Sequence, residues 1–495
     1  MLLRSRALAS FAFILFGCSA TAGDDVGVAP STTSPTRDAE VTDTIDGALD
    51  TGTIVIDDGR APETSPPTDA RPLLLFGVGE EKLALCWKGE GKDCARVRDD
   101  ERVRAQLKSI APGMTVRWGG YQTESFGLGM TGYAARQASI GVFDDHAMLE
   151  PSWMIERAMM SGYAAFILAV PVSEPDKAAA TILGHATWTA DDASKNLDGW
   201  RDAIAAHPGF PAPAMIELGN EPWLQESGPD GFRGKPLAYR DKARAIGATV
   251  KSKIEAFGWP TRVAVVIDSW QGASFGAGGL GAWSTELLAL AADPTVNVNG
   301  APLLQTHAYA LHNGNTYCPE PLSTSDASDV ACVYALYAML RSLEAKAPSA
   351  EIIVTEDNYY ASSETAGYPR SGVYTTLAAL LSFSAGAIAY THYSNGDYGH
   401  QGEIFDLFVG DGTSAHTTPG PLLANEIAGL ARILRGVRAG EVTFTTSGSI
   451  AIPTAGFAKM TGKRDAPSIY DFTIGKNGAV HVDVISRTVT FSPTK

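Results

Sequence analysis

Eight short apolar runs, most of them followed by a longer helical segment, constrain this chain more than any other feature. The runs are Leu73–Val78, Met114–Trp118, Ala164–Val172, Met215–Leu218, Val263–Ile267, Leu303–His307, Ile352–Thr355 and Ala387–Tyr393. Segments such as Asp99–Ile110, Asp191–Ala206, Leu237–Ala256, Val330–Ala347 and Tyr374–Ser384 read as amphipathic or buried helices between them. Strands that are apolar throughout and alternate with helices belong to parallel sheets covered on both faces. Eight such units predict an α/β chain folded as a (β/α)8 TIM barrel over residues 71–436, in preference to an open doubly wound sheet. Leu422–Leu434 reads as the last barrel helix. Past Gly436 the pattern turns to alternation, in Val442–Thr446, Ile469–Phe472, Ala479–Ile485 and Thr488–Phe491. Lys476-Asn477-Gly478 lies between two of these runs, and Asn-Gly is a hairpin signal. Residues 437–495 are therefore expected to form a small C-terminal antiparallel β-sheet domain.

The chain begins with an address. Arg4 and Arg6 precede an apolar run from Ala7 to Phe16, too short to span a bilayer and flanked as an export signal is. Leu15-Phe16-Gly17-Cys18 resembles a bacterial lipobox, which implies a lipid on Cys18; the alternative is a plain cleaved signal peptide. Residues 19–70 are rich in Thr, Asp, Ala, Pro and Gly and bury too little apolar surface to offset ordering entropy, so they read as a disordered acidic linker. Of the five cysteines, Cys18 belongs to the signal. The other four form two close pairs, Cys86 with Cys94 and Cys318 with Cys332, as expected of disulfides in an exported chain. The formal net charge of −16 runs against nucleic-acid binding. The expected location is outside the cytoplasm, lipid-anchored to a bacterial membrane or secreted, with any membrane contact made through the N-terminal lipid alone.

Barrel active sites lie at the C-terminal ends of the strands. Glu217-Leu218-Gly219-Asn220-Glu221-Pro222-Trp223 follows the fourth run, and Thr355-Glu356-Asp357-Asn358 the seventh. Two glutamates so placed can face each other across the barrel mouth. Glycoside hydrolysis needs such a pair, one protonated and one charged, and two carboxyls held close together do not ionise alike. This marks Glu221 and Glu356 as the candidate catalytic pair of a glycoside hydrolase. Strict alternation would point Asn220 and Glu221 to opposite faces, so both can serve the site only across a bulge or strand-end twist. Arg117, ending the second run, would keep a carboxylate ionised and oriented. Gly119 and Gly120 behind it would admit substrate close to backbone. His307 and Tyr309, at i and i+2, can both face the mouth, with Tyr309 donating to Glu356.

These motifs resemble clan A retaining glycoside hydrolases, whose acid/base and nucleophile end strands four and seven, which implies Glu221 as acid/base and Glu356 as nucleophile of a retaining enzyme. That resemblance implies that Asn220 contacts the sugar 2-hydroxyl. Within the clan, Ile110–Gly120, Glu217–Pro222 and His307–Gly314 are similar to the heparanase and β-glucuronidase family. Thr355 and Asp357-Asn358 depart from that family's small residues around the nucleophile, which bears on the sugar and not on the mechanism. α-L-Arabinofuranosidases and β-xylosidases share the Gly-Asn-Glu-Pro core. A substrate-stacking role is open to Trp223 and Tyr359 above all, and to Trp118, Trp270, Tyr360 and Tyr393. His392, His400, Asp397 and Glu403 match no ligand spacing, and the implied mechanism needs no metal or cofactor. The expected partner is an extracellular poly- or oligosaccharide. A sugar-binding surface lipoprotein without turnover is the competing class, and transglycosylation shares the same intermediate.

Overall fold

The structure, a computed structural model, describes residues 71–79, 101–120, 123–124, 150–175, 180–181, 183–222, 232, 235–267, 282–307, 326–357, 368–392, 396–397, 405–406, 423–452 and 463–494. Strands β1 (Leu75–Gly79), β2 (Thr115–Trp118), β3 (Ala165–Val170), β4 (Met215–Leu218), β5 (Arg262–Val266), β6 (Leu303–His307), β7 (Glu351–Glu356) and β8 (Ala387–His392) pair in sequence order into a closed parallel barrel. Helices α1 (Glu101–Ile110), α2 (Pro151–Ser161), α3 (Ala190–Ala206), α4 (Pro236–Phe257), α5 (Ala282–Ala291), α6 (Asp326–Lys346) and α7 (Tyr368–Ser384) lie between successive strands. Helix α8 (Leu423–Ile433) follows β8. The (β/α)8 expectation holds.

Local chemistry sets several helix starts. Proline opens α2 and α4, where its fixed φ suits the first turn and its missing N–H costs nothing. Helix α3 opens with a reciprocal capping box between Thr189 and Asp192.

The barrel interior is built in two storeys. Ile167, Met215, Ala264, Leu303, Ile353, Ile388 and Ala389 form a small apolar floor. Two residues further along their strands, Glu217, Gln305, Thr355 and Thr391 occupy the same inward face by the two-residue period, and all are buried. The polar storey is the base of the site. Trp118 belongs instead to the outer layer. It is buried against Phe166, Trp200 and Phe210, with ring centroids 5.1, 5.2 and 6.4 Å away, and this corrects its reading as a sugar platform.

Two small two-stranded ladders accompany the barrel, neither foreseen from the sequence. One joins β9 (Gly396–Asp397) to β10 (Phe405–Asp406), the other β12 (Ile450–Ala451) to β13 (Asp465–Ala466). The C-terminal sheet has the order β11 (Val442–Ser447), β14 (Ile469–Ile474), β15 (Gly478–Asp483), β16 (Thr488–Pro493), antiparallel throughout. Tyr470, Phe472, Ile474, Val480 and Val482 give it one buried face, continuous with the core around the barrel helices. Gly429 of α8 leaves the room that the Phe491 ring fills. The Asn477-Gly478 signal marks the hairpin correctly but not its turn. A two-residue Asn-Gly turn would need Asn477 in the left-handed region. Here the loop is Gly475–Asn477, and positive φ falls on Gly475 and Gly478. The Asn477 amide is used elsewhere, donating to the carbonyls of Ile433 and Arg435 at the end of α8, each at 2.8 Å.

Glu426 of α8 faces Gly372 of α7, and burial raises its carboxyl from 4.5 to about 7. A carboxyl that holds its proton more tightly when folded stabilises fully below its unfolded value, and that contribution is lost as pH rises through the folded one. Glu426→Gln, which stays neutral, is expected to raise Tm by a few degrees at pH 8 and leave it unchanged at pH 4. Scanning calorimetry at the two pH values checks this; equal Tm values at pH 8 would mean that the ionised carboxyl reaches water.

Candidate active site

The site assembles where β2, β4, β6 and β7 end. Arg117, wholly buried, stands at its centre. Its Nε and Nη2 donate to Glu217 Oε2 at 2.9 and 2.8 Å, and Nη2 also donates to Asn220 Oδ1 at 2.9 Å. Its Nη1 donates to Glu356 Oε1. One guanidinium thus fixes two carboxylates and the residue before Glu221 in a fork geometry that lysine lacks. Gly119 serves this arrangement: a Cβ there would lie 2.5 Å from the Arg117 Cζ.

Backbone irregularity delivers both glutamates. β4 stops at Leu218; Gly219 then takes φ +85° and Glu221 φ +43°. A left-handed glutamate is uncommon and strained, and such residues persist where their surroundings hold them. This is the strand-end twist that Asn220 and Glu221 require to share one site. On β7 the ladder to β6 shifts, with Thr306 paired to Val354 but His307 to Glu356. The extra residue, Thr355, makes a bulge that lets Thr355 and Glu356 both address the interior.

His307 bridges the pair. Its Nδ1 lies 3.0 Å from Glu221 Oε1 and 3.5 Å from Glu356 Oε2. Its Nε2 meets nitrogens of Gln305 at 2.8 Å and Arg117 at 3.4 Å. The guanidinium can only donate, so Nε2 is the acceptor and Nδ1 carries the proton toward the carboxylates. Gln305 is oriented in turn by donating to Thr355 Oγ1 at 3.0 Å. Thr355 thereby supports His307 from behind. The facing atoms of Glu221, His307 and Glu356 all lie within 4.8 Å of one another. Three such donors could also hold a metal ion, but the Arg117 charge already stands against Glu356, and a second cation there would meet its repulsion.

Asn220 Oδ1 accepts from Arg117 and, at 3.2 Å, from the Gly120 backbone N–H. That leaves the Asn220 amide hydrogens for other partners. Asp357, beside Glu356, accepts from the Tyr390 hydroxyl at 2.7 Å. Burial first, and then Asp357, push that phenol well above its ordinary value. His392 ends β8 and is buried. Tyr309, Trp223, Tyr359, Trp270, Tyr360, Tyr393, His400 and Glu403 lie outside the described residues, as do Cys18, Cys86, Cys94 and Cys318. Cys332 is buried on α6.

Sequence reasoning missed Glu217, Gln305 and Glu124. The signal for the first two was the two-residue period, which carries charged or amide groups onto the inward face at Glu217 and Gln305. Glu124 had no such signal, because it stands beyond a strand end.

No protein-family model and no curated protein sequence matches this chain. Solved structures do. A family 51 α-L-arabinofuranosidase from Bifidobacterium longum aligns with a TM-score of 0.54 and 13% identity, over 86% of this chain and 84% of that one. An exo-β-1,4-mannosidase from Opitutaceae bacterium strain TAV5 gives 0.44 and 12%, over 75% and 62%. A family 5 glycoside hydrolase from Prevotella bryantii B14 gives 0.43 and 14%, over 75% and 100%. At these identities the likeness to the first is one of fold, a TIM barrel on which glycoside hydrolases are built.

Removing the Arg117 charge leaves Glu217 and Glu356 buried without their cation. Arg117→Met is expected to lose about 3–5 kcal/mol of stability near neutral pH. Urea denaturation measures it; an unchanged midpoint would show that the guanidinium does not hold the site together.

Proposed function

We propose that this chain is a retaining O-glycoside hydrolase acting on an extracellular poly- or oligosaccharide. The observation that carries the reading is the approach of the Glu221 and Glu356 carboxylates to within 4.8 Å, with His307 between them. Retaining enzymes hold their carboxyls about 5–5.5 Å apart, whereas inverting ones leave about 6.5–9.5 Å for a water. In this reading Glu221 gives its proton to the glycosidic oxygen as the Glu356 carboxylate attacks the anomeric carbon, and the leaving sugar departs. Glu221 then takes a proton from water, which attacks the anomeric carbon and releases Glu356. Arg117 keeps Glu356 ionised and aimed. The Asn220 amide hydrogens and the His307 Nδ1–H supply donors to the sugar and the carboxylates. Trp223, Tyr309 and Tyr359 complete the pocket in this proposal.

The motifs similar to the heparanase and β-glucuronidase family support β-glucuronides as substrates. The shared Gly-Asn-Glu-Pro core, together with a barrel like that of the family 51 enzyme, supports α-L-arabinofuranosides and β-xylosides. Hydrolysis of an aryl glycoside panel covering the three separates these classes, and proton NMR of the first-formed anomer tests retention. Glu221→Ala is expected to lower kcat by about 10²–10⁴-fold, and Glu356→Ala by at least as much, with ligand affinity kept. Ligand binding without turnover in the unsubstituted protein would favour the sugar-binding lipoprotein instead.

The proposal extends to location. An exported catalytic domain on a 19–70 tether, anchored through lipid on Cys18 and braced by Cys86–Cys94 and Cys318–Cys332 disulfides, would meet polymer outside the cytoplasm. Cys18→Ser is expected to move the protein from the detergent phase to the aqueous phase in Triton X-114 partitioning; aqueous partitioning of the unsubstituted protein would leave only a cleaved signal.

A further inference from the structure

Glu124 is a buried carboxyl that the chemistry above does not use. It stands beyond β2, in a segment tied back to that strand by the Thr123 hydroxyl, which donates to the Gly119 carbonyl at 3.0 Å. The two carboxylate oxygens divide their work. Oε2 accepts from the backbone N–H groups of Val172 at 3.0 Å and Ser173 at 2.9 Å, and from the Ser173 hydroxyl at 2.9 Å, all just past β3. Oε1 accepts from the backbone N–H of Asn220 at 2.6 Å, just past β4, and takes a longer share of the Val172 N–H at 3.3 Å. The Glu124 carbonyl accepts from the Trp188 indole at 2.6 Å. Gly219 makes this reach possible, since a Cβ on it would lie 2.8 Å from Glu124 Oε1.

We propose that Glu124 is a positioning residue: its ionised carboxylate pins the left-handed Gly219–Glu221 turn to the end of β3 and thereby sets where the Glu221 carboxyl stands. The proposal rests on the reading of Glu221 as acid/base. Backbone strain at Glu221 needs an external hold; the Glu124 bond to Asn220 N supplies the part that reaches the Asn220 backbone, beside the Gly219 N–H bond to the Val170 carbonyl at 2.9 Å and the Arg117 bond to the Asn220 side chain. Three of the Glu124 carboxylate's contacts are backbone N–H groups that can only donate, and the Ser173 hydroxyl alone could turn to accept a proton from the carboxyl. Burial nonetheless raises the group to about 7, against the bonds from Ser173, Val172 and Asn220 that pull it down. The titratable neighbour from α4 is Tyr239, whose hydroxyl donates to the Leu218 carbonyl and whose own value burial, Glu124 and Glu217 drive upward. The Asn220 bond lowers the value of a carboxyl that stays buried, so by linkage this one bond, unlike the burial of the group, is favoured by ionisation and tightens as pH rises through about 7.

Glu124→Gln separates the two ends of the pin. A glutamine keeps its oxygen where three donors converge and turns its NH2 toward the Asn220 N–H, donor against donor. Hydrogen–deuterium exchange of the full chain is expected to speed up at Asn220 while Val172 and Ser173 stay protected. On whichever aryl glycoside the enzyme hydrolyses, kcat is expected to fall by about ten- to hundredfold with KM within about twofold, as for a small misplacement of a catalytic group. The kcat/KM profile should lose an ionisation near 7 that the unsubstituted enzyme shows. Ser173→Ala, which touches only the other end, should change kcat by less than about threefold. In the unsubstituted protein, Asn220 protection corrected for intrinsic exchange should decline between pH 8.5 and 5.5, a measurement that needs no variant. Unchanged Asn220 exchange in Glu124→Gln, or protection independent of pH, overturns the proposal. Absence of hydrolysis in the unsubstituted protein overturns the hydrolase reading and leaves exchange to decide the pin.

Discussion

One buried guanidinium organises the mouth of this barrel. Arg117 rises from β2 and bonds to β4 through Glu217, to the turn after it through Asn220, and to β7 through Glu356. Taking a charge out of water costs several kcal/mol, which its carboxylates offset only with good geometry and further hydrogen bonds. The geometry is therefore demanded of every strand that contributes. Gly119 has no side chain because the guanidinium folds back over it. Glu217 sits one inward step above Met215 so that its carboxylate meets Nε and Nη2 together. A buried ion pair of this kind adds little net stability over an apolar replacement, so its place here is better explained by what it orients.

Around that centre the backbone departs from regular strand geometry twice, once on each side of the cleft. At β4 the departure is a pair of left-handed residues, Gly219 and Glu221; at β7 it is an extra residue, Thr355. A regular strand alternates its side chains, so it cannot send two neighbours into one pocket. Both irregularities defeat that alternation where neighbouring residues are needed together. Each is held by side chains behind the site: Glu124 and Tyr239 at β4, Gln305 and Thr391 at β7.

The period of the apolar runs made the barrel legible, since only strands covered on both faces read as continuous hydrophobic segments. Met215–Leu218 and Leu303–His307 match their strands end to end. Glu221, Glu356, Arg117 and His307 were legible because strand ends are where barrel chemistry gathers. Trp118 misled because an aromatic beside an arginine looks like part of the site, yet the two alternate across β2 and the ring packs outward on Trp200. Asn477-Gly478 gave the hairpin but not its turn, because a contact far away in sequence, with the end of α8, claims the asparagine amide.

By itself the sequence determined the layering, the alternation along each strand, and that Arg117, Glu221, His307 and Glu356 stand at strand ends. These follow from local periodicity, which neighbours in the chain dictate. The tertiary structure alone decided that Arg117 serves Glu217 as well as Glu356, that His307 stands between the two glutamates, and that Glu124 holds Asn220. Each of those contacts joins residues from different strands or loops. Its existence depends on how closed-barrel geometry brings strand ends together, and no pattern along one strand encodes that distance.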